Sequence, residues 1–413
     1  MLQFKKWIVV FVFFVSDWGM AIDHSKSQHQ KKQAVVEGYA GLVFETYKQS
    51  LTSVTALHDA VLRFEKNPNK NTYARMKTSW IKARMDYGLT EAFRFYEGPI
   101  DNEKNGPEGL INAWPLDEVY IEGLKPKKNG EIQGGIIGRS DLYPVINKDV
   151  LLKANELGGE KNISTGFHAV EFLLWGRDRT PEGRPQPGSA GLRTYHDYLE
   201  TSPYGERRMT YLKVATSLLV EHLSWLTGEW NPRKRNNYVD SFLASEPSKN
   251  ITDILTALAT LASAELAGER LFVAVDEGDE EHEQSCFSDT THLDTMANFQ
   301  GIENVLYGRL DFVGYQSAHD DKVTIERKPV AFIAESNFMS LLKESSPAEW
   351  EKLKVAFKKT RTSIRNIEAP FDVAIVASPE KVMATVSELR SLGRRIVVAG
   401  AQLGAKVSVA SGD

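Results

Sequence analysis

Apolar residues recur every three or four positions along most of the chain, and the alternating pattern of half-buried strands is almost absent. The pattern predicts helices over Val35–Phe64, stopped by Asn67-Pro68, and over Thr72–Tyr96, stopped by Gly98-Pro99. Further helices are expected over Arg207–Gly228, Asn250–Val275, Met296–Leu310, Ala331–Lys343, Pro347–Ile367 and Pro379–Leu403. Pro347 and Pro379 stand where a first-turn proline is tolerated, because the N–H it lacks would be unpaired there anyway. Gly- and Pro-rich stretches, chiefly Gly98–Gly138 and Arg177–Gly191, read as long loops. The expected fold class is all-α: helical bundles with long loops between helices.

Two internal matches divide this pattern into related halves. A shift of 132 lays His168–Gly176 on Gln300–Gly308 and pairs Phe167 with Phe299, Glu171 with Glu303, Leu174 with Leu306, Trp175 with Tyr307 and Gly176 with Gly308. A shift of 164 pairs Tyr47 with Tyr211, Ser53 with Ser217, His58 with His222, Leu62 with Leu226 and Asn67-Pro68 with Asn231-Pro232. Both matches run in the same order along the chain. Two related helical-bundle domains are therefore expected, over residues 33–200 and 201–413. Where the first half carries His168, the second carries Gln300.

The first 21 residues read as a processing signal. Lys5 and Lys6 precede the apolar run Trp7–Val15, and Gly19-Met20-Ala21 supplies small residues for a peptidase. Nine apolar residues are too few to span a hydrocarbon core of roughly 30 Å. Export is expected, with a mature chain that begins near Ile22 and has a flexible start over residues 22–32. No cysteine follows the apolar run, which argues against a lipid anchor. The single cysteine, Cys286, excludes an internal disulfide, so the core alone must hold the fold. With 413 residues, 42% of them hydrophobic, that core can be large. The periplasm or cell envelope fits these features. A net charge of −5 gives no ground for a nucleic-acid partner and leaves membrane contact peripheral at most.

The segment Gly166-Phe167-His168-Ala169-Val170-Glu171-Phe172-Leu173-Leu174-Trp175-Gly176 concentrates the chemistry. It sets one imidazole and one carboxylate a helical turn apart, on the same face of an otherwise apolar helix. A carboxylate buried there needs a cation, a hydrogen-bond donor or a proton.

Gly166, His168 and Glu171 form a Gly-x-His-x-x-Glu pattern that resembles the signature of the imelysin family. Other segments look like its iron-regulated protein A branch: Thr90-Glu91-Ala92-Phe93-Arg94-Phe95, Asn112-Ala113-Trp114-Pro115-Leu116-Asp117-Glu118, Ala267-Gly268-Glu269-Arg270, Ser285-Cys286-Phe287-Ser288-Asp289-Thr290-Thr291-His292 and Ala369-Pro370-Phe371-Asp372. The likeness runs from about Val35 to Leu403. It implies two helical-bundle domains, export to the periplasm or outer envelope, and a link to iron or haem acquisition. The family is also classed with metallopeptidases. One departure is Asp289, which stands before Thr290 where the family leads one to expect asparagine.

His168 and Glu171 supply two metal ligands at most, so distant segments must contribute the rest. The candidates are Glu91, Asp117, Glu118 and Glu269. Oxygen-rich surroundings suit iron or another divalent metal; zinc, which needs three or four protein ligands, is the weaker reading. The chain lacks His-Glu-x-x-His, so a metal-dependent peptidase would need a distant third ligand and Glu118 or Glu91 as base. Haem would take His168 as axial ligand, with Trp175, Phe172 and Tyr195 along the macrocycle and Arg84 or Arg94 at its propionates. Glu91 and Arg94 equally make an i,i+3 ion pair, and Asp117 and Glu118 can cap the helix beyond Trp114-Pro115. Cys286, near His292 and behind the acidic run Asp276–Glu283, is expected in an ordered loop, because a nucleophilic thiol needs a positioned base and positive surroundings. Gln300 and Glu303 are the positions in the second half that correspond to His168 and Glu171. A third reading makes the chain a non-catalytic envelope protein in which His168 and Glu171 lock two helices together. Expected partners are an iron or haem ligand and envelope transport components.

Overall fold

The apolar stripe that begins at Val35 is one face of a single long helix, α1 (Asp17–Lys66), about 75 Å long at the usual rise per residue. Val36, Leu42, Tyr47, Leu57 and Phe64 lie buried along it. The computed structural model describes residues 17–123, 135–178, 187–278, 282–312, 315–316, 324–325 and 332–409. Residues 1–16 of the expected leader fall outside the described residues. Residues 22–32, expected as a flexible start, continue α1 instead. They contain no glycine or proline to stop a helix, and Lys31 and Lys32 reach Glu344 (2.5 Å) and Ser248 (3.1 Å).

Helix α2 (Lys70–Gly88) begins at a capping box, in which the Asn69 side chain accepts from Thr72 N–H and Thr72 Oγ1 accepts from Asn69 N–H. It ends earlier than the sequence predicts, and a 3-10 turn over Leu89–Phe93 replaces the expected helix to Tyr96. The Thr90 hydroxyl donates to the Tyr87 carbonyl there, at 2.7 Å. The expected loop Gly98–Gly138 contains two short helices, α3 (Glu108–Ile111) and α4 (Glu118–Glu122). Residues 124–134 of that loop, and 179–186 of the next, lie outside the described residues. Helices α5 (Lys148–Ala154), α6 (Gly166–Trp175) and α7 (Gly205–Glu229) follow. Gly166 opens α6 with φ +87°, and a Cβ there would stand 2.6 Å from the Ile111 carbonyl oxygen.

Helices α8 (Tyr238–Ala244) and α9 (Pro247–Thr260) lead into a π-helical stretch, Leu261–Phe272, and then α10 (Val273–Glu277). Pro247–Glu277 is long and apolar enough to cross a membrane by length and composition alone, yet more than half of its most apolar stretch is buried inside the fold. It packs on α15 (Pro379–Gln402), as a core helix does. Between them the chain forms α11 (Thr291–Tyr307), the two-residue strands β1 (Tyr315–Gln316) and β2 (Thr324–Ile325), α12 (Phe338–Ser345), α13 (Pro347–Arg365) and α14 (Phe371–Ala377). The helix expected over Ala331–Lys343 is shorter than predicted. It starts at the Asn337 cap, and the residues before it run extended beside 308–310, with Leu310 N–H on Phe332 O and Ala334 N–H on Gly308 O. Val330 to Ala334 is a continuous apolar run without helical spacing, so nothing local favours a helix over an extended pairing.

Two helical bundles result. Helices α1, α2, α6 and α7 pack together, and the α9–α10 helix packs with α13 and α15 through α15. Helix α7, just beyond the expected boundary at 200/201, packs on α1 and α6, so the division in packing falls after it. Helix α11 bridges the bundles. Its Gly301 lies so close to the Leu89–Phe93 turn that a Cβ would meet the Leu89 carbonyl oxygen at 2.6 Å. One continuous apolar core runs through both bundles.

Candidate functional site

Every residue of α6 is buried, so its polar pair must be satisfied from inside the fold. The two side chains do not converge on a shared ion as the sequence spacing allowed. His168 Nδ1 instead meets Glu171 Oε2 at 2.9 Å. Glu171 Oε1 accepts the backbone N–H and the hydroxyl of Ser288, at 3.0 and 2.7 Å. Ser288 Oγ in turn lies 2.7 Å from Thr290 Oγ1. The carboxylate thus ties α6 to a segment 117 residues away.

Burial pushes the His168 ring well below the ordinary histidine range, and the charges of Arg84 and Arg270 add to this. Burial pushes Glu171 up to about 8, against the Ser288 hydroxyl that holds it down. The ring is neutral, and in the tautomer that treats Glu171 as acceptor the proton sits on Nδ1. Nε2 then keeps its lone pair, and this buried atom has no hydrogen-bond partner. A histidine whose Nδ1–H is held by a carboxyl oxygen and whose Nε2 is open has the form in which imidazole binds metals. The residues therefore fit one metal bond at Nε2, with Glu171 orienting the ring rather than acting as a second ligand.

A second buried network lies beside the pair. Arg84 Nε donates to Asp294 Oδ1 at 2.8 Å, and Arg84 Nη1 to Asn112 Oδ1. Asn112 Nδ2 reaches Glu91 Oε1 at 3.2 Å. Glu91 Oε2 also takes Arg94 Nη1 at 3.0 Å and Arg270 Nη2 at 2.6 Å. Burial alone would raise Glu91, but Arg94 and Arg270 outweigh it and hold the carboxyl at about 2. Arg270 Nη1 completes the pattern on Asn298 Oδ1. Each of Arg84 and Arg270 thus holds an asparagine 28 residues further on and a carboxylate from the opposite half of the chain. Arg270 also grips Glu265, five residues earlier, at 2.6 Å, which matches the period of the π-helical stretch.

Only part of the expected ligand set reaches this region. Glu91 enters the arginine network together with Arg94, which also pairs with Glu108 at 3.1 Å. Asp117 caps α4 by accepting Val119 N–H at 2.9 Å, and Glu118 faces Arg177 at 3.5 Å. Glu269 is exposed; the next residue, Arg270, is the one turned inward. Trp114 is half-buried, while Trp175 packs edge-on against Trp80 at 5.2 Å in the core. Cys286 lies buried in the apolar core, and His292 is half-buried on the first turn of α11. Gln300 Nε2 donates to Asn304 Oδ1 (2.9 Å) and Glu303 Oε2 (3.3 Å), and Arg361 pairs with Glu303. Haem at His168 would have to find room beside α6, every residue of which is buried.

Spacing alone did not single out Ser288, Asp294, Asn112 and Asn298. The signal was the set of short motifs around Asn112, Arg270 and Ser285–His292, segments far apart in the chain that converge here. Residues 43–395 match the family model described as imelysin. The chain belongs to the imelysin family. Two solved structures share the fold. One, of an iron-regulated protein A precursor from Parabacteroides distasonis, aligns with TM-score 0.66 and 19% identity over 91% of this chain and 95% of its own. The other, of an imelysin-like protein from Psychrobacter arcticum, aligns with TM-score 0.62 and 13% identity over 92% and 98%. No curated protein matches this imelysin.

Proposed function

We propose that this imelysin is an exported iron-handling protein that binds one iron or other divalent metal ion at His168 Nε2. The observation that carries the reading is the open, fully buried Nε2 of an imidazole whose other nitrogen is held by Glu171. Family membership and the iron-regulated description of the Parabacteroides distasonis neighbour support it. The amino-terminal Lys5–Ala21 pattern supports delivery to the periplasm or cell envelope, where the partners would be components of iron transport.

The test uses the mature chain, started near Ile22, titrated with ferrous iron, ferric citrate, zinc and haem. One equivalent of metal is expected, lost in His168→Ala and weakened about 10- to 100-fold in Glu171→Gln, the usual range for a group that orients a ligand. Metal uptake that survives His168→Ala would overturn the reading. A second reading, a purely structural lock, rests on the Glu171–Ser288 bonds. It is supported if His168→Ala lowers thermal stability and the parent takes up no metal. Peptide hydrolysis abolished by a chelator would favour metallopeptidase chemistry instead.

A further inference from the structure

Two residues that flank Ser288 in the chain, Glu283 and Asp289, turn carboxylates toward Asp178, which follows the Gly176 that ends α6. One oxygen from each of the three lies within 4.8 Å of the other two. The three residues are 7%, 0% and 4% exposed in the order Asp178, Glu283, Asp289. Asp372, buried at the start of α14, adds its field while accepting Gly188 and Val373 N–H.

Glu283 is the decisive member. Neither of its oxygens makes a hydrogen bond, although the residue is fully buried. The nearby Thr291 hydroxyl accepts Ser285 N–H at 2.9 Å, and its own proton holds the Glu283 carboxyl down only in part. Burial and the charges of Asp372, Asp289 and Asp178 push the Glu283 carboxyl well above its ordinary range. A buried acid with no hydrogen bond stronger than the Thr291 hydroxyl's approach, facing two more acids, takes up either a proton or a cation.

We propose that Asp178, Glu283 and Asp289 bind a hard divalent cation, Ca2+ in first place, at a site separate from His168. Calcium–oxygen bonds of about 2.3–2.6 Å put ligands on opposite sides of one ion roughly 5 Å apart, so three oxygens within 4.8 Å suit a single ion. Magnesium demands shorter bonds and stricter octahedral geometry. The donors are all carboxylate oxygens, the class that selects Ca2+, Mn2+ or Mg2+ over metals that prefer thiolate or imidazole. Backbone carbonyls and water complete the shell. The ion clips the 283–289 segment to the end of α6 and so holds Ser288 against Glu171.

The test is a thermal melt of the EDTA-treated mature chain with Ca2+, Mn2+ or Mg2+ added alone, together with calorimetric titration. Ca2+ is expected to bind saturably and raise the melting temperature by several degrees, and His168→Ala should keep this response. Glu283→Gln should weaken Ca2+ binding at least tenfold. Without metal, Glu283→Gln should melt at or above the parent, because it removes a buried repulsion and keeps the shape. The proposal is overturned if none of the three cations gives a saturable response up to millimolar, or if Glu283→Gln binds Ca2+ like the parent. It is equally overturned if metal-free Glu283→Gln melts well below the parent, which would mean the carboxylate is held by protein donors. Failure of iron binding at His168 leaves these outcomes unchanged.

Discussion

Helices α6 and α11 carry the same one-turn polar pair and end alike, at Gly176 and Gly308 with φ +75° and +61°. Their side chains meet opposite fates. In α11 the Gln300 amide is satisfied by Asn304 and Glu303, and Arg361 neutralises Glu303. In α6 the Glu171 carboxylate is held by the neutral donors of Ser288 and by His168, and the imidazole is left with an open nitrogen. A shared helix pattern with a pairing arginine is a packing element. The same pattern without one keeps an unsatisfied ligand atom and a carboxyl pushed up to about 8.

Four measurements bear on that contrast. The largest effect is expected from His168→Ala against Gln300→Ala: bound iron should fall from one equivalent to none in the first and stay unchanged in the second. Next, Arg361→Leu strands the buried Glu303 and should cost about 1–3 kcal/mol in urea unfolding, the usual penalty for a buried group losing its partner. Adding Glu303→Gln should recover part of the loss. A third, smaller effect is the pH dependence of the metal-free protein. Glu171 has an ordinary value of 4.5 and about 8 when folded, so its contribution is fully present below pH 4.5 and is lost as pH rises to about 8. Glu171→Gln should flatten that decline, read as urea midpoints at pH 5 and 8. His168 acts in the opposite sense, its folded value being lowered, so stability falls as pH drops below 6.5, and this loss should persist in the Glu171→Gln variant. Least of all should come from Gln300→His. With Arg361 still on Glu303, the transplanted imidazole should add no second equivalent of metal, and a second equivalent would show that the arginine does not separate the halves.

Helical spacing located most long helices and the polar pair of α6, because periodicity is a local property of the chain. It misplaced the residues around 332–337, where a continuous apolar run carries no period. It also missed the π-helical register at Leu261–Phe272, since apolar spacing barely distinguishes a π turn from an α turn. That register separates exposed Glu269 from buried Arg270, and sequence alone favoured the wrong neighbour as an inward-facing group.

Local pattern was thus enough for an all-α chain, for the His168–Glu171 turn and for the family it signals. Which groups meet there was settled only by packing. Ser288 reaches Glu171 across 117 residues, Arg270 reaches Glu91 across 179, and Arg84 reaches Asp294 across 210. No window of a few turns encodes such contacts. They arise where the two bundles close on α11: Arg94 and Arg270 keep Glu91 ionised against its burial, while burial keeps the imidazole of His168 neutral with one nitrogen open.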